Sequence, residues 1–134
     1  MSTFKYNKAC SDFATAQLNW LTCNPKAMLV DAGYVPDPAH NYVSQITAGA
    51  IVTRDQALTS VAQTNGKCTG TIPQINALLW LNPVVAVIIY ESTGDDATSR
   101  LLYYSSDGVG FPFAAQGFNY AVAFDQAGGG WFQV

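Results

Sequence analysis

The rhythm of apolar positions changes near residue 50. Ahead of it, Ala9, Phe13, Ala16 and Trp20 recur at helical spacing, which predicts an amphipathic helix over 7–20 capped by Asn7. Thr22-Cys23-Asn24-Pro25 stops it, because Pro25 drives Asn24 out of helical backbone. A short buried strand is predicted over 27–31 (AMLVD). A turn follows, Gly33 to Pro38. Asp37 and Pro38 then suit the N-cap and first position of a short second helix carrying His40, Tyr42, Val43 and Ile46 and ending at Gly49.

Beyond residue 50 the pattern is that of strands. Candidates are 50–53, 59–63, 69–72, 77–81, 84–91, 100–105, 119–124 and 131–134, parted by turn signals at Arg54-Asp55, Asn65-Gly66 and Asn82-Pro83. Asn65-Gly66 fits a tight hairpin. The run VVAVIIYE (84–91) is β-branched and unbroken, so it predicts a central strand buried on both faces. A polar loop, 92–99, separates it from the next strand. Residues 107–117 form a Gly/Pro-broken loop carrying Phe111 and Phe113. The expected fold is mainly β: a β-sandwich or barrel-like body of about seven or eight short strands, with an N-terminal helix and one short helix after the first strand. One domain, 1–134, is expected, since 134 residues suit a single core and no linker or repeat is visible.

Composition sharpens this picture. Hydrophobic residues make up 49% and charged residues 11%, against about 25% charged in an average soluble domain. The surface must therefore be covered by uncharged polar groups or by other protein. The net charge is −3, and the basic residues are scattered, so no patch is expected to hold nucleic acid or an anionic membrane. The longest apolar run, 83–90, is far shorter than the roughly 20 residues of a spanning helix. The N-terminus lacks the apolar core of a secretory signal, which predicts a protein made in the cytosol that stays there or leaves by cell lysis. Cys10, Cys23 and Cys68 form no CxxC pair and are expected to be free thiols, with a disulfide formed after release as the other reading.

The candidate chemistry is thin. Asp37 and His40, the chain's one histidine, could pair as an orienting acid and a general base. No nucleophile elbow, HExxH or phosphate loop accompanies them. Helix-start capping by Asp37 and Pro38 accounts for both residues without chemistry. Asp95-Asp96 reads as a solvated hairpin tip rather than a calcium loop. Glu91, the one glutamate, is expected to pair with Arg100 across the 92–99 hairpin. No catalytic residue, metal ligand or cofactor is assigned. The aromatic C-terminal third is the remaining feature, and Phe111, Phe113, Tyr103 and Tyr104 are the expected contact residues of an interface.

Four pieces occur here in one order: YNKA…LNWLT (6–22), KAMLVDAGYVPDPAHNYVSQI (26–46), VVAVIIYESTGDDATSRLLYY (84–104) and AVAFDQAGGGWFQV (121–134). Their succession resembles a group of small structural proteins of tailed-phage particles. The middle, 53–83, has no counterpart in that pattern. The resemblance implies a non-enzymatic virion protein without a cofactor, assembled in the host cytoplasm. It would decorate or stabilise the capsid through multivalent contacts with the major capsid protein, other virion proteins or copies of itself. The alternatives are a neck or tail component, or a receptor- or carbohydrate-binding module stacking sugars on Tyr103, Tyr104 or Trp80.

Overall fold

The computed structural model describes residues 3–65, 67–106, 111–120 and 132–133. The chain runs β1 (Thr3–Lys5), α1 (Asn7–Ala14), β2 (Pro25–Asp31), β3 (Ile51–Ala57), β4 (Thr59–Thr64), β5 (Lys67–Thr71), β6 (Ile75–Leu79), β7 (Val84–Glu91), β8 (Leu101–Ser105), β9 (Gln116–Tyr120) and β10 (Phe132–Gln133). Five strands form one sheet in the order β1-β8-β7-β2-β3, and every neighbouring pair is antiparallel. Two small sheets complete a mainly β, sandwich-like body: β10-β5-β4 and the ribbon β6-β9.

The predicted central strand, 84–91, is β7 with the same bounds, and it lies in the middle of the large sheet. All of it is buried except Val85, which is half-buried. Its partner β2 is buried throughout apart from Lys26. Side chains alternate across a strand, so both faces of this pair need cover. In β8, Leu101 and Tyr103 point to one face and Leu102 and Tyr104 to the other, and all four are buried. On the Tyr104 face, Phe4 of β1 stacks on Tyr104 at 5.0 Å and meets Tyr6 edge-on at 5.0 Å.

The N-terminal helix stops at Ala14, six residues short of the predicted end. Ala16 takes a left-handed φ of +62°, and Gln17 N–H reaches back to Asp12 O at 2.8 Å while Ala16 N–H reaches Phe13 O. These two bonds are a Schellman close, with alanine where glycine is usual. The cap also differs: Tyr6 holds the N-cap position, not Asn7. Trp20 is buried, but from a turn outside the helix. Its indole N–H is shared between Ala62 O (2.8 Å) and Thr69 O (3.0 Å), fastening the helix exit to the β4–β5 pair.

The predicted second helix is absent. Residues 38–39 make a turn, followed by single 3-10 turns at Val43–Gln45 and Ala48–Ala50. Asp37 caps only that first turn: its Oδ1 accepts Ala39 N–H at 2.9 Å, and its carbonyl accepts His40 N–H at 3.0 Å. Tyr42 is extended and forms a β-bridge to Arg100. Val43 N–H goes to Ser99 O and Ser44 N–H to Asp96 O, so the 92–99 loop claims the donors and the path of this segment. Val43 and Ile46, which gave the helical spacing, are buried all the same.

Other strands shift by a few residues. Arg54-Asp55 is a β-bulge, not a turn: β3 runs through it, with Asp55 at φ +63° and the β2 register broken on either side of Leu29. Asn65 does adopt a hairpin-compatible φ of +53°, and Thr64 pairs with Lys67. Gly66 lies outside the described residues, as does the stretch of the predicted 119–124 strand beyond Tyr120. At Gly70 an added Cβ would come within 2.8 Å of the Leu58 Cδ2 methyl, so a larger residue there would require the Leu58 side chain to shift.

Ile88 sits at the centre of β7 and is fully buried. Ile88→Ala should lower the unfolding free energy in urea by about 2–5 kcal/mol, the range for a large aliphatic cut back inside a packed core.

Candidate functional site

Arg100 immediately precedes β8, and its carbonyl accepts the N–H of Glu91, the last residue of β7, at 2.8 Å. The pair expected from the hairpin is present and bidentate: Nε to Glu91 Oε1 at 2.8 Å and a terminal nitrogen to Oε2 at 2.9 Å. The other terminal nitrogen donates to Asp12 Oδ2 at 2.9 Å, and Lys8 stands 3.4 Å from the same oxygen. Burial would raise the Asp12 carboxyl, but the hydrogen bonds from Arg100 and Lys8 outweigh it and hold the group below its ordinary value. Arg100 also reaches Gln17 O, past the end of α1, so it holds the helix exit as well as Asp12. The cluster locks α1 to the sheet.

The second arginine does a similar job. Arg54, on the β3 bulge, grips Asp96 with two bonds of 2.9 and 2.7 Å and holds that carboxyl low. Its Nε lies 3.4 Å from Asp55 Oδ2 without hydrogen-bond alignment. Asp55 N–H donates to the Tyr90 hydroxyl at 2.9 Å, and that hydroxyl donates to Asp55 Oδ1 at 2.7 Å. Burial, helped by this bond, pushes the Tyr90 phenol up to about 12. Asp95 organises the hairpin tip: its carboxylate accepts Ala97 N–H, and its carbonyl accepts Ser99 N–H and the Ser99 hydroxyl. Among the described residues no three His, Cys, Asp or Glu side chains gather as metal ligands would.

Asp37 and His40 do not pair through their side chains. The Nδ1 of His40 lies 2.9 Å from the Tyr34 hydroxyl, which lies 3.0 Å from the Tyr6 hydroxyl.

One polar centre escaped the sequence reading. Asp31, buried at the end of β2, accepts Gly33 N–H at 2.8 Å on Oδ1 and Trp80 Nε1–H (2.8 Å) and Asn82 Nδ2–H (3.2 Å) on Oδ2. Burial would raise this carboxyl, but the three donors, Trp80 foremost, keep it below its ordinary value. Gly33 gives it room, because a Cβ there would stand 3.0 Å from Asp31 Oδ1 and press on that carboxylate. An Asp closing a buried strand and followed by a glycine two residues on is the one signal the sequence offered. The site floors an open cleft of about 500 Å³ lined by Ala32, Gly49, Pro83, Val85 and Pro112.

The expected interface residues are corrected. Tyr103, Tyr104 and Phe111 are only 3%, 4% and 7% exposed and belong to the core, and Phe113 packs half-buried against it. The cause is long-range pairing. Phe113 exchanges both backbone hydrogen bonds with Val84 at the start of β7, which carries the Gly/Pro-broken loop inward. There Phe111, Phe113 and Tyr120 form a row with centroids 5.8 and 4.8 Å apart. The large apolar side chains that do face solvent among the described residues are elsewhere. Leu79 and Phe118 on the β6–β9 ribbon are 72% and 66% exposed, Leu81 just past β6 is 95% exposed, and Val35 and Leu21 stand singly in loops at 75% and 54%. All three cysteines are free thiols. Burial pushes Cys23 up to about 12 and Cys68 to about 11, so both stay protonated at neutral pH.

The chain matches no protein family, no curated protein and no solved structure.

Two outcomes follow from the polar clusters. Arg100→Met leaves Glu91 without its cation and Asp12 with Lys8 alone, and should cost about 2–3 kcal/mol of stability, less than for a fully buried pair. Restoring balance with Glu91→Gln in the same chain should recover part of that loss in urea titrations. The acid limb has a definite sign. Asp31 is depressed in the folded state relative to its unfolded value of 3.8, so its contribution is complete above that value and disappears as pH falls through the lower folded one. Thermal unfolding between pH 7 and pH 2.5 should show Tm falling below about pH 4. Asp31→Asn should start lower and fall less.

Proposed function

We propose that this chain is a non-enzymatic structural protein of a tailed-phage particle, acting through protein contacts and most suited to the capsid surface. The observation that carries this reading is the β6–β9 ribbon. It holds Leu79 and Phe118 in solvent, with Leu81 two residues past Leu79. Exposed large apolar side chains grouped on one element are the usual raw material of an interface. The ordered series of motifs resembling small virion proteins supplies the kind of partner.

The use of charge supports the same reading. Four of the described carboxylates, Glu91, Asp12, Asp31 and Asp96, are each held by two or more donors or by a bidentate arginine. A sugar-binding reading loses its two tyrosine platforms, because the rings of Tyr103 and Tyr104 are enclosed.

The test replaces the ribbon's apolar side chains. Leu79→Ser, Leu81→Ser and Phe118→Ser combined should leave stability within about 1 kcal/mol, as exposed substitutions do. The same variant should bind particles lacking the wild-type chain at least about tenfold more weakly, the loss expected when contact anchors are removed. Unchanged binding by a folded variant would remove the ribbon as the contact surface.

A further inference from the structure

Glu91 and Asp31 are the buried carboxylates among the described residues, and they are held differently. Glu91 faces a bidentate arginine. Asp31 has neutral donors only: Trp80 Nε1–H and Asn82 Nδ2–H on Oδ2, and Gly33 N–H on Oδ1. Among the described residues no lysine, arginine or histidine forms an ion pair with it. A carboxylate has about four acceptor positions, so one stays open on Oδ1. The three donors keep the group ionised at neutral pH. A charged carboxylate that is nearly enclosed, and has no cation of its own, attracts one.

The cleft that Asp31 floors gives a cation a way in. Its walls are apolar, formed by Ala32, Pro83, Val85 and Pro112. Its volume of about 500 Å³ falls within the range of ligand sites. Val85 is the one residue of β7 that the fold leaves half-buried. A second hollow of about 390 Å³ shares Ala32, Val85 and Pro112 with the first and continues past Tyr34 and Pro36. The two make one groove, apolar along its length, with a single negative charge in its floor.

These features select the ligand. A hard metal ion takes six or so oxygen ligands, and no three acidic, histidine or cysteine side chains gather among the described residues. A guanidinium grips a carboxylate through both oxygens, but Oδ2 already carries two donors. An ammonium group needs one open position, and the aliphatic stem of lysine covers apolar wall on its way in. The second hollow has room for the residues beside that lysine, which a free amine would leave unfilled.

We propose that the groove between the end of β2 and the start of β7 receives a lysine side chain of another protein chain, with its ammonium on Asp31 Oδ1. The proposal requires a protein partner and does not require a phage particle.

The test is a two-dimensional amide NMR titration of the purified protein with the capped tripeptide acetyl-Ala-Lys-Ala-amide at pH 7. Saturable shifts should centre on Ala32, Gly33, Gly49 and Val85, with a dissociation constant in the millimolar range. Norleucine in place of lysine should bind at least about tenfold more weakly, since it lacks the charge-assisted hydrogen bond. The arginine peptide and free butylamine should each bind more weakly than the lysine peptide. Asp31→Asn should weaken lysine binding at least about tenfold. A second variant leaves Asp31 in place. A Cβ at Gly49 meets nothing within 4 Å, so Gly49→Trp fits the fold and crowds the cleft. It should abolish the shifts. Absence of saturable shifts would overturn the proposal. So would equal binding of the norleucine peptide, the arginine peptide or butylamine, or unchanged binding by folded Gly49→Trp.

Discussion

The structure depends on burying one strand pair from both sides. Strands β2 and β7 carry apolar residues on each face, so a single layer of cover would leave half of them in water. The flanking strand β8 continues the same two-faced burial with Leu101, Leu102, Tyr103 and Tyr104. Much of what surrounds this block serves as cover. The N-terminal strand brings Phe4 and leads to Tyr6 on one side, and the 111–115 segment folds Phe111 and Phe113 in at the start of β7. Trp20 ties the helix exit to the β4–β5 pair.

The sparse charge is used to fasten that cover. The chain has two arginines, and each grips a carboxylate with two bonds. Arg100 joins the end of α1 to the junction of β7 and β8, and Arg54 joins the β3 bulge to the 92–99 loop. Asp31 fixes the far end of β2 to Trp80 and Asn82 through neutral donors. Charges placed in this way secure the fold and do not furnish a charged outer surface. What remains outside is largely uncharged and polar, with the apolar ribbon among it. That distribution is the physical basis for reading the protein as one that works through its surfaces.

Much of the β framework was legible in the sequence, because its strongest signals are local. An unbroken β-branched run can hardly be anything but a buried strand, and β7 is where it was expected. The Glu91–Arg100 pair was legible because a hairpin brings its two ends together. The failures share one cause, which is pairing between distant segments. The 38–49 stretch has helical spacing and a fair cap, yet Ser99 and Asp96 take its backbone donors. Phe111 and Phe113 sit in a loop of broken composition, yet Val84 draws that loop into the sheet. Helix α1 ends early at an alanine in left-handed backbone, with Arg100 from the other end of the chain holding the last turn. Asp31 was missed because its partners lie some fifty residues away. The exposed side chains of the ribbon were missed because strand alternation alone does not tell which face finds cover.

The central claim is that this chain is a repeated part of a particle. The most direct measurement is its copy number in purified particles, by quantitative mass spectrometry against the major capsid protein. A ratio of the same order as the capsid protein is the result expected for a protein that covers the shell. Absence of the chain from washed particles would contradict the account.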